Sequence, residues 1–262
     1  MLPASKAAES MNSLVDVIKV FQENRPHLGS LHERRIQGLV DGMPGDFRIV
    51  GECMRDGFLR NFESCDKLID QAVTHTWSEA SYELNIATSM LESFRFSDFL
   101  NYLSSLLEHR HDDLDFLYDA CKMLGSVGLY QTAEKICDLL NKLNAEPSHM
   151  EDAARYFSKK YADFGLCDEK IAEFATAASL RIKEYLAHKK NFIYEMTFEF
   201  ITASHPQTFA YVFHLDADVE QIVDLSESVA DFLAEMEFSE QVEQHLAYSV
   251  WAYSEERMQY AS

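Results

Sequence analysis

The stretch ACKMLGSVGLYQTAEKICDLL, from Ala120 to Leu140, decides the fold class because it has the pattern of two helices joined by a short turn. Apolar residues recur every three or four positions on both sides of Gly128, which is the spacing of an amphipathic helix. The segment ATSMLESFRFSDFLNYLSSLL, from Ala87 to Leu107, has the same layout, with Phe96 at its turn. The chain is therefore expected to contain helical hairpins that are related to one another.

A spacing of 34 residues connects the aromatic residues at these turns. It joins Phe62, Phe96, Tyr130 and Phe164, and the same step reaches Phe198 and Phe232. Positions three, seven and ten residues after the first four aromatics are all apolar, and these offsets fall on one face of a helix. Self-similarity at such a period is typical of a solenoid of helical hairpins. An irregular helical bundle with accidental spacing is the alternative.

The pattern Gly-x-Tyr-x-x-Ala at residues 128–133, with Leu117 and Leu124 upstream and Pro147 closing the unit, resembles the tetratricopeptide repeat. The resemblance covers about residues 45–180 and is degenerate outside this unit. It implies an α-α hairpin solenoid that binds a protein or peptide partner on the concave face formed by the first helices. The partner-binding residues that it implies are Met54, Tyr118, Lys122, Tyr156, Lys159 and Lys160.

Composition favours an all-α fold in the cytoplasm. The 262 residues include only 9 glycines and 5 prolines, too few for the many turns of an all-β protein. The 5 cysteines are an odd number and form no Cys-x-x-Cys motif, which is typical of a reducing compartment. No apolar run approaches the ~18 residues that a membrane span requires, so we expect no membrane contact.

Sequence motifs for catalysis, cofactors and metals are absent. The chain has no Gly-x-Ser-x-Gly, no P-loop and no Gly-x-Gly-x-x-Gly. Glu108 and His111 form one Glu-x-x-His motif, but a di-metal bundle needs two, and the second, at Glu146 and His149, is interrupted by Pro147. We therefore expect no catalytic residue, no cofactor and no metal.

Charged residues are distributed unevenly along the chain. The 44 acidic and 23 basic residues give a net charge of −21, which argues against direct nucleic-acid binding. Residues 191–262 contain 14 acids and a single base, Arg257. We expect three parts: an N-terminal helical segment at 1–44, a helical-repeat region at 45–190, and an acidic, aromatic-rich helical region at 191–262.

One helix of the last region is expected to carry five acids on one face. These residues, called the acidic stripe below, are Glu220, Asp224, Glu227, Asp231 and Glu235. Their spacings of three and four place them on one side of the helix and apolar residues on the other. The stripe is interpreted either as a docking surface for a basic partner or as a solvated face that keeps the protein in solution. The neighbouring aromatic residues fit a central helix, a contact between copies or a peptide groove.

The leading functional hypothesis is a non-enzymatic protein-protein interaction module, acting as an adaptor, chaperone or regulator. The alternative is an acidic DNA mimic that inhibits a nucleic-acid-binding enzyme, because charges along the acidic stripe repeat every 5–6 Å, roughly the phosphate spacing of a strand. A helical enzyme with a buried carboxylate or metal site is the third hypothesis. The partner is expected to be a protein or peptide, and a basic partner and self-association both stay open.

Overall fold

The structure, a computed structural model, describes residues 3–23, 25–203 and 206–253. In these ranges the chain is mostly helical, as the sequence predicts, with twelve α-helices and three strands in one small sheet. The expectation of an all-α fold is therefore corrected. No helix among the described residues is both long enough and apolar enough to cross a membrane.

The chain forms two compact units, and the first combines Met1–Arg95 with Lys183–Ile193. It contains α1 (Pro3–Glu23), α2 (Ser30–Asp41), α3 (Phe47–Phe58), α4 (Phe62–Ala72), α5 (Ala80–Glu92) and the last residues of α10 (Asp168–Leu186). Helix α3 packs against both α4 and α5. The apolar faces of these helices form the core, with Leu14, Ile36, Val50, Ile69 and Ile86 fully buried.

The second unit combines Phe96–Ile182 with Tyr194–Ser262. Its helices are α6 (Phe96–Arg110), α7 (Leu114–Ser126), α8 (Tyr130–Lys142), α9 (Glu151–Phe164), most of α10, α11 (Val219–Ala234) and α12 (Glu240–His245). Its strands are β1 (Tyr194–Ile201), β2 (Thr208–Leu215) and β3 (Leu246–Ala252). Helix α8 packs between α7 and α9, an arrangement compatible with a helical repeat.

The same left-handed turn ends five of the described helices. The residues with positive φ at these turns are Arg60, Phe94, Gly128, Asn144 and Gly165. At the α7–α8 turn, the N–H of Leu129 donates to the carbonyl of Leu124 at 2.9 Å, and the other four turns repeat this bond. This is the Schellman motif, which satisfies carbonyl groups that a helix leaves unpaired at its C-terminus.

The 34-residue period holds for three of the four aromatic positions. Phe62, Phe96 and Tyr130 each lie two residues after a left-handed residue, and each begins a helix. Because the turn geometry repeats with the sequence, these three rings occupy equivalent places at successive turns.

Phe164 does not continue the series. It is the last residue of α9, and the left-handed residue Gly165 follows it directly, so the position equivalent to Tyr130 is Cys167. The irregular segment 143–150 between α8 and α9 accounts for the shift. It lengthens the spacing between left-handed residues from 34, as between Phe94 and Gly128, to 37 between Gly128 and Gly165. Phe198 and Phe232 lie in β1 and α11, outside the repeat.

Helix α10 supplies polar partners to the first turns of two other helices in the second unit. The Asp168 carboxylate accepts hydrogen bonds from the N–H groups of Gln131, at 3.2 Å, and Thr132, at 2.7 Å, in α8. The Thr176 hydroxyl accepts one from the N–H of Ser97 in α6, at 3.2 Å. First-turn N–H groups have no partner inside their own helix, so these contacts satisfy them.

The sheet corrects the prediction that residues 191–262 are helical. Its order is β1-β2-β3, with β1 antiparallel and β3 parallel to the central β2. Helices α11 and α12 form the crossover that a parallel pair requires. In β1, Glu195, Thr197 and Glu199 alternate with apolar residues, which is the period of a strand. Strand β2 is rich in aromatic residues, which favour strands because they pack well on a pleated surface.

Candidate partner-binding surfaces

The six residues expected on a concave face belong to both units. Met54 lies half-buried on α3 of the first unit, and the other five lie on α7 and α9 of the second. On α7, Lys122 is exposed, but the hydroxyl of Tyr118 donates to the carbonyl of Glu146 at 2.5 Å. Tyr118 is therefore engaged by the chain's own loop.

Helix α9 presents the other three of these residues. The Tyr156 side chain is 52% exposed, and the Nζ atom of Lys160 lies 5.8 Å from the centre of its ring. Lys159 beside them is exposed. An exposed aromatic ring next to lysines can contact both apolar and acidic groups, so this part of α9 is suited to protein recognition.

All five residues of the acidic stripe are exposed on one side of α11 and at its C-terminal end. Leu225 and Val229 are buried on the opposite side. The side chain of Asp218 begins the helix by accepting a hydrogen bond from the N–H of Gln221, at 2.9 Å. The amphipathic character predicted for this helix matches the exposure pattern.

A basic residue from another helix lies at the acidic stripe. Arg181 of α10 lines a shallow cleft of about 410 Å³ together with Asp224, Glu227 and Asp231. Its guanidinium carbon lies 4.9 Å from the centre of the Phe232 ring. The surface is therefore less purely acidic than the sequence suggests, because the fold introduces a positive charge that is distant along the chain.

The first unit contains an open cleft of about 1030 Å³. Its walls are α2, α3, α4, the turn between α3 and α4, and the segment at Ala187 and His188. Charged and amide side chains predominate in the lining: Glu33, Arg34, Gln37, Arg55, Asp56, Asn61, Glu63, Lys67 and His188. We call this feature the α2–α4 cleft.

A buried carboxylate organises the floor of the α2–α4 cleft. Asp56 is only 2% exposed, and its two oxygens accept hydrogen bonds from Nε of Arg55, at 2.7 Å, and from the hydroxyl of Ser64, at 2.6 Å. Arg55 also donates to the amide oxygen of Gln37 at 2.7 Å. Burial acts to lower the pKa of Arg55, but the hydrogen bond and charge of Asp56 raise it overall, so the guanidinium stays charged.

Two buried arginines fix the chain segment that forms one wall of the α2–α4 cleft. Arg60 donates to the carbonyl oxygens of Lys189, at 2.5 Å, and Phe192, at 2.6 Å. Arg25 donates to the carbonyl of Lys190 at 3.0 Å. Charge-assisted hydrogen bonds of this kind are strong, so the wall is positioned before any ligand binds.

Comparison with protein-family models, with curated proteins and with solved structures finds no match to this chain. The function is therefore inferred from the geometry of the chain's own surfaces. Among the described residues, no three His, Cys, Asp or Glu side chains form a group that could hold a metal ion.

No local sequence pattern predicts the α2–α4 cleft. Its lining comes from residues 30–67 and from Ala187 and His188, which only the fold brings together. The sequence offered one weak signal, the paired bases Arg34-Arg35 and Lys189-Lys190. These pairs are equally typical of a solvated helix surface, so they did not single out a site.

Proposed function

We propose that this protein is a non-enzymatic protein-protein interaction module, an adaptor, chaperone or regulator, that binds a protein or peptide partner in the α2–α4 cleft. The observation that carries the proposal is the cleft itself, which is large, lined by many charged and amide residues, and bounded by three helices and a fixed chain segment. Binding sites are usually concave and largely pre-formed, with convergent polar groups that fix the orientation of what they bind.

The charges of the α2–α4 cleft support binding more than proton transfer. Arg55 pairs with Asp56 at 2.7 Å, Lys67 pairs with Glu63 at 2.7 Å, and Glu33 pairs at 2.5 Å with Lys190, which lies just outside the cleft lining. Paired charges present fixed donors and acceptors of both signs. Such a surface fits the backbone and charged side chains of a peptide segment, since complementary charge gives specificity and register.

Site-specific photo-crosslinking tests the proposal. A photoreactive amino acid replaces Gln37 inside the cleft and, as the matched control, Lys19 on the exposed side of α1. We expect a discrete protein adduct from position 37 that position 19 does not give. The adduct identifies the partner, whose affinity is then measured with purified proteins.

Charge reversal completes the test. Arg34→Glu with Lys67→Glu changes the α2–α4 cleft, and Lys19→Glu with Arg35→Glu makes the same change of net charge elsewhere on the first unit. We expect the cleft variant to bind the partner about 10-fold to 100-fold more weakly, since each reversal at an exposed pair is worth roughly 1 kcal/mol. Equal binding by the two variants would exclude the cleft as the site.

The second candidate function is acidic DNA mimicry, favoured by the exposure of all five stripe carboxylates. Arg181 weighs against it, because a guanidinium at that surface has no counterpart in a phosphate backbone. The salt dependence of partner binding distinguishes the two candidate functions. Binding through scattered carboxylates weakens steeply as salt is added, whereas binding at the buried Arg55–Asp56 pair of the cleft is screened less.

A further inference from the structure

Helices α7 and α8 bring two cysteine thiols into contact. The Sγ atoms of Cys121 and Cys137 lie 3.6 Å apart, and both side chains are buried. A disulfide places its sulfurs about 2.05 Å apart, so the two sulfurs must approach by about 1.5 Å to form one. We propose that Cys121 and Cys137 are a redox-sensitive dithiol, which a peroxide oxidises to a disulfide that joins α7 to α8.

The surroundings of the two thiols assign them different roles. Ser148, in the segment 143–150, directs its hydroxyl at the sulfur of Cys121 from 3.7 Å. The hydrogen bond with Cys137 lowers the pKa of Cys121, burial opposes this, and the Ser148 hydroxyl adds to the lowering. The same thiol-thiol bond raises the pKa of Cys137. Because the Ser148 hydroxyl contacts the sulfur of Cys121, we assign Cys121 as the attacking thiolate and Cys137 as the thiol that completes the bond.

The oxidation proceeds in two balanced steps. The thiolate of Cys121 attacks one oxygen of hydrogen peroxide, the O–O bond breaks, and the departing hydroxide takes up the proton released by Cys121 to give water. Cys121 is then a sulfenic acid. The sulfur of Cys137 attacks it, the S–S bond forms, the S–O bond breaks, and hydroxide leaves with the Cys137 proton as a second water. Two thiols lose two electrons and the peroxide gains them.

The repeat provides an internal control for this pair. Cys53 of α3 lies two 34-residue periods before Cys121, and Cys65 of α4 is the nearest cysteine across that hairpin. The thiol of Cys65 donates to the backbone carbonyl of Cys53 at 3.4 Å. Burial raises the pKa of Cys53, and it raises the pKa of Cys65 to about 12. We expect this second pair to stay reduced under the same treatment.

Peptide mapping of the native protein tests the proposal, because trypsin places each of the five cysteines on a separate peptide. The protein is treated with hydrogen peroxide until half of the partly exposed Cys167 is oxidised, which shows that the oxidant is effective. Free thiols are then alkylated in denaturant before digestion. We expect peptides 111–122 and 136–142 to appear as a linked species that has lost two hydrogens and separates on reduction. Free alkylated Cys121 and Cys137 at that dose would overturn the proposal.

Two further outcomes are decisive. Linkage of Cys53 to Cys65 to the same extent as Cys121 to Cys137 would show non-selective oxidation and would overturn the proposal. In Cys137→Ser, which replaces one buried thiol by a hydroxyl, we expect a dimedone adduct on Cys121 and no linked peptide. Because the wild-type protein contains the control pair Cys53 and Cys65, peptide mapping of wild type tests the proposal even if this variant fails to fold.

Discussion

The phenol of Tyr211, in the central strand β2, donates a buried hydrogen bond of 2.7 Å to the backbone carbonyl of Val127 at the α7–α8 turn. The next carbonyl along the chain, that of Gly128, accepts a hydrogen bond from the hydroxyl of Tyr161 in α9. A helix cannot satisfy the carbonyls at its own C-terminal end, and here a strand and another helix supply the donors. The turn, the sheet and α9 are thereby held in one arrangement.

Removing either hydroxyl is expected to destabilise the second unit. Tyr211→Phe and Tyr161→Phe each leave a buried carbonyl without its donor, which costs about 1–3 kcal/mol. Tyr156→Phe is the matched control, because its ring is 52% exposed and its substitution is expected to change stability by less than about 0.5 kcal/mol. Urea denaturation measures all three. Equal stability of Tyr211→Phe and Tyr156→Phe would contradict the role of the buried bond.

The same two phenols make stability sensitive to alkaline pH. Burial raises the pKa of Tyr161 and of Tyr211 well above the usual value. Above about pH 10 the unfolded chain loses these protons while the folded chain keeps them, so stability falls as pH rises. We expect the urea midpoint of wild type to decline more between about pH 9 and pH 11 than that of the double Phe variant. Parallel declines would refute this assignment.

Glycine is required at position 128 for two reasons. Its φ of 79° is left-handed, and a Cβ there would lie 2.5 Å from the Phe198 ring of β1. Gly165 has a similar φ of 67°, but its Cβ would meet only the flexible side chain of Gln241, at 3.1 Å. We expect Gly165→Ala to cost about 1–2 kcal/mol from backbone strain alone, and Gly128→Ala to cost clearly more. Thermal or urea unfolding would show the difference, and equal losses would contradict the contact with Phe198.

Asp168 is expected to contribute to stability through the first turn of α8. Asp168→Ala leaves the N–H groups of Gln131 and Thr132 without their acceptor, at a cost of about 1–2 kcal/mol. Asp168→Asn keeps an acceptor oxygen and is expected to lose less. Burial raises the pKa of Asp168, so the folded state binds a proton before the unfolded state does. Wild type is therefore expected to gain stability relative to Asp168→Asn as the pH falls from 7 towards about 4.

Neutralising the acidic stripe distinguishes the two interpretations of this surface, as a solvated face or as a docking surface for a basic partner. Replacing Asp224, Glu227 and Asp231 by Gln removes mutual repulsion but also removes the attraction of each to Arg181, so little net change in stability is expected. If the stripe docks a basic partner, the triple variant is expected to bind that partner up to roughly 100-fold more weakly than wild type does, mostly through a slower association rate. Gln at Glu108, Asp112 and Asp119, which are exposed elsewhere on the second unit, is the matched control. Unchanged association rates at low salt would exclude a docking role.

The helical part of the fold could be predicted because helix periodicity is local. Gly128 and Tyr130 mark their turn directly in the sequence, and the step to Phe96 and Phe62 follows from the repeated Schellman geometry. Phe164 misled the prediction, because an aromatic residue can fall in the expected column while the turn has moved three residues along.

The strands and the α2–α4 cleft could not be predicted with the same ease. The continuous apolar run of β2 does not distinguish a buried strand from a buried helix, although the alternation of Glu195, Thr197 and Glu199 in β1 was a usable signal. The cleft depends on His188 meeting α2–α4, and Arg181 meets the acidic stripe in a comparable way. Both are long-range juxtapositions that no local pattern encodes.

The buried arginines of the first unit have a consequence for biosynthesis. When residue 95 has been translated, Arg25 and Arg60 still lack the carbonyl groups of Lys189, Lys190 and Phe192. A ribosome adding about 5–20 residues per second needs roughly 5–20 s more to deliver them. The first unit can thus be completed only after residues 96–182 of the second unit have been made, and a nascent chain stalled between residues 96 and 182 would expose an incomplete fold to chaperones and proteases.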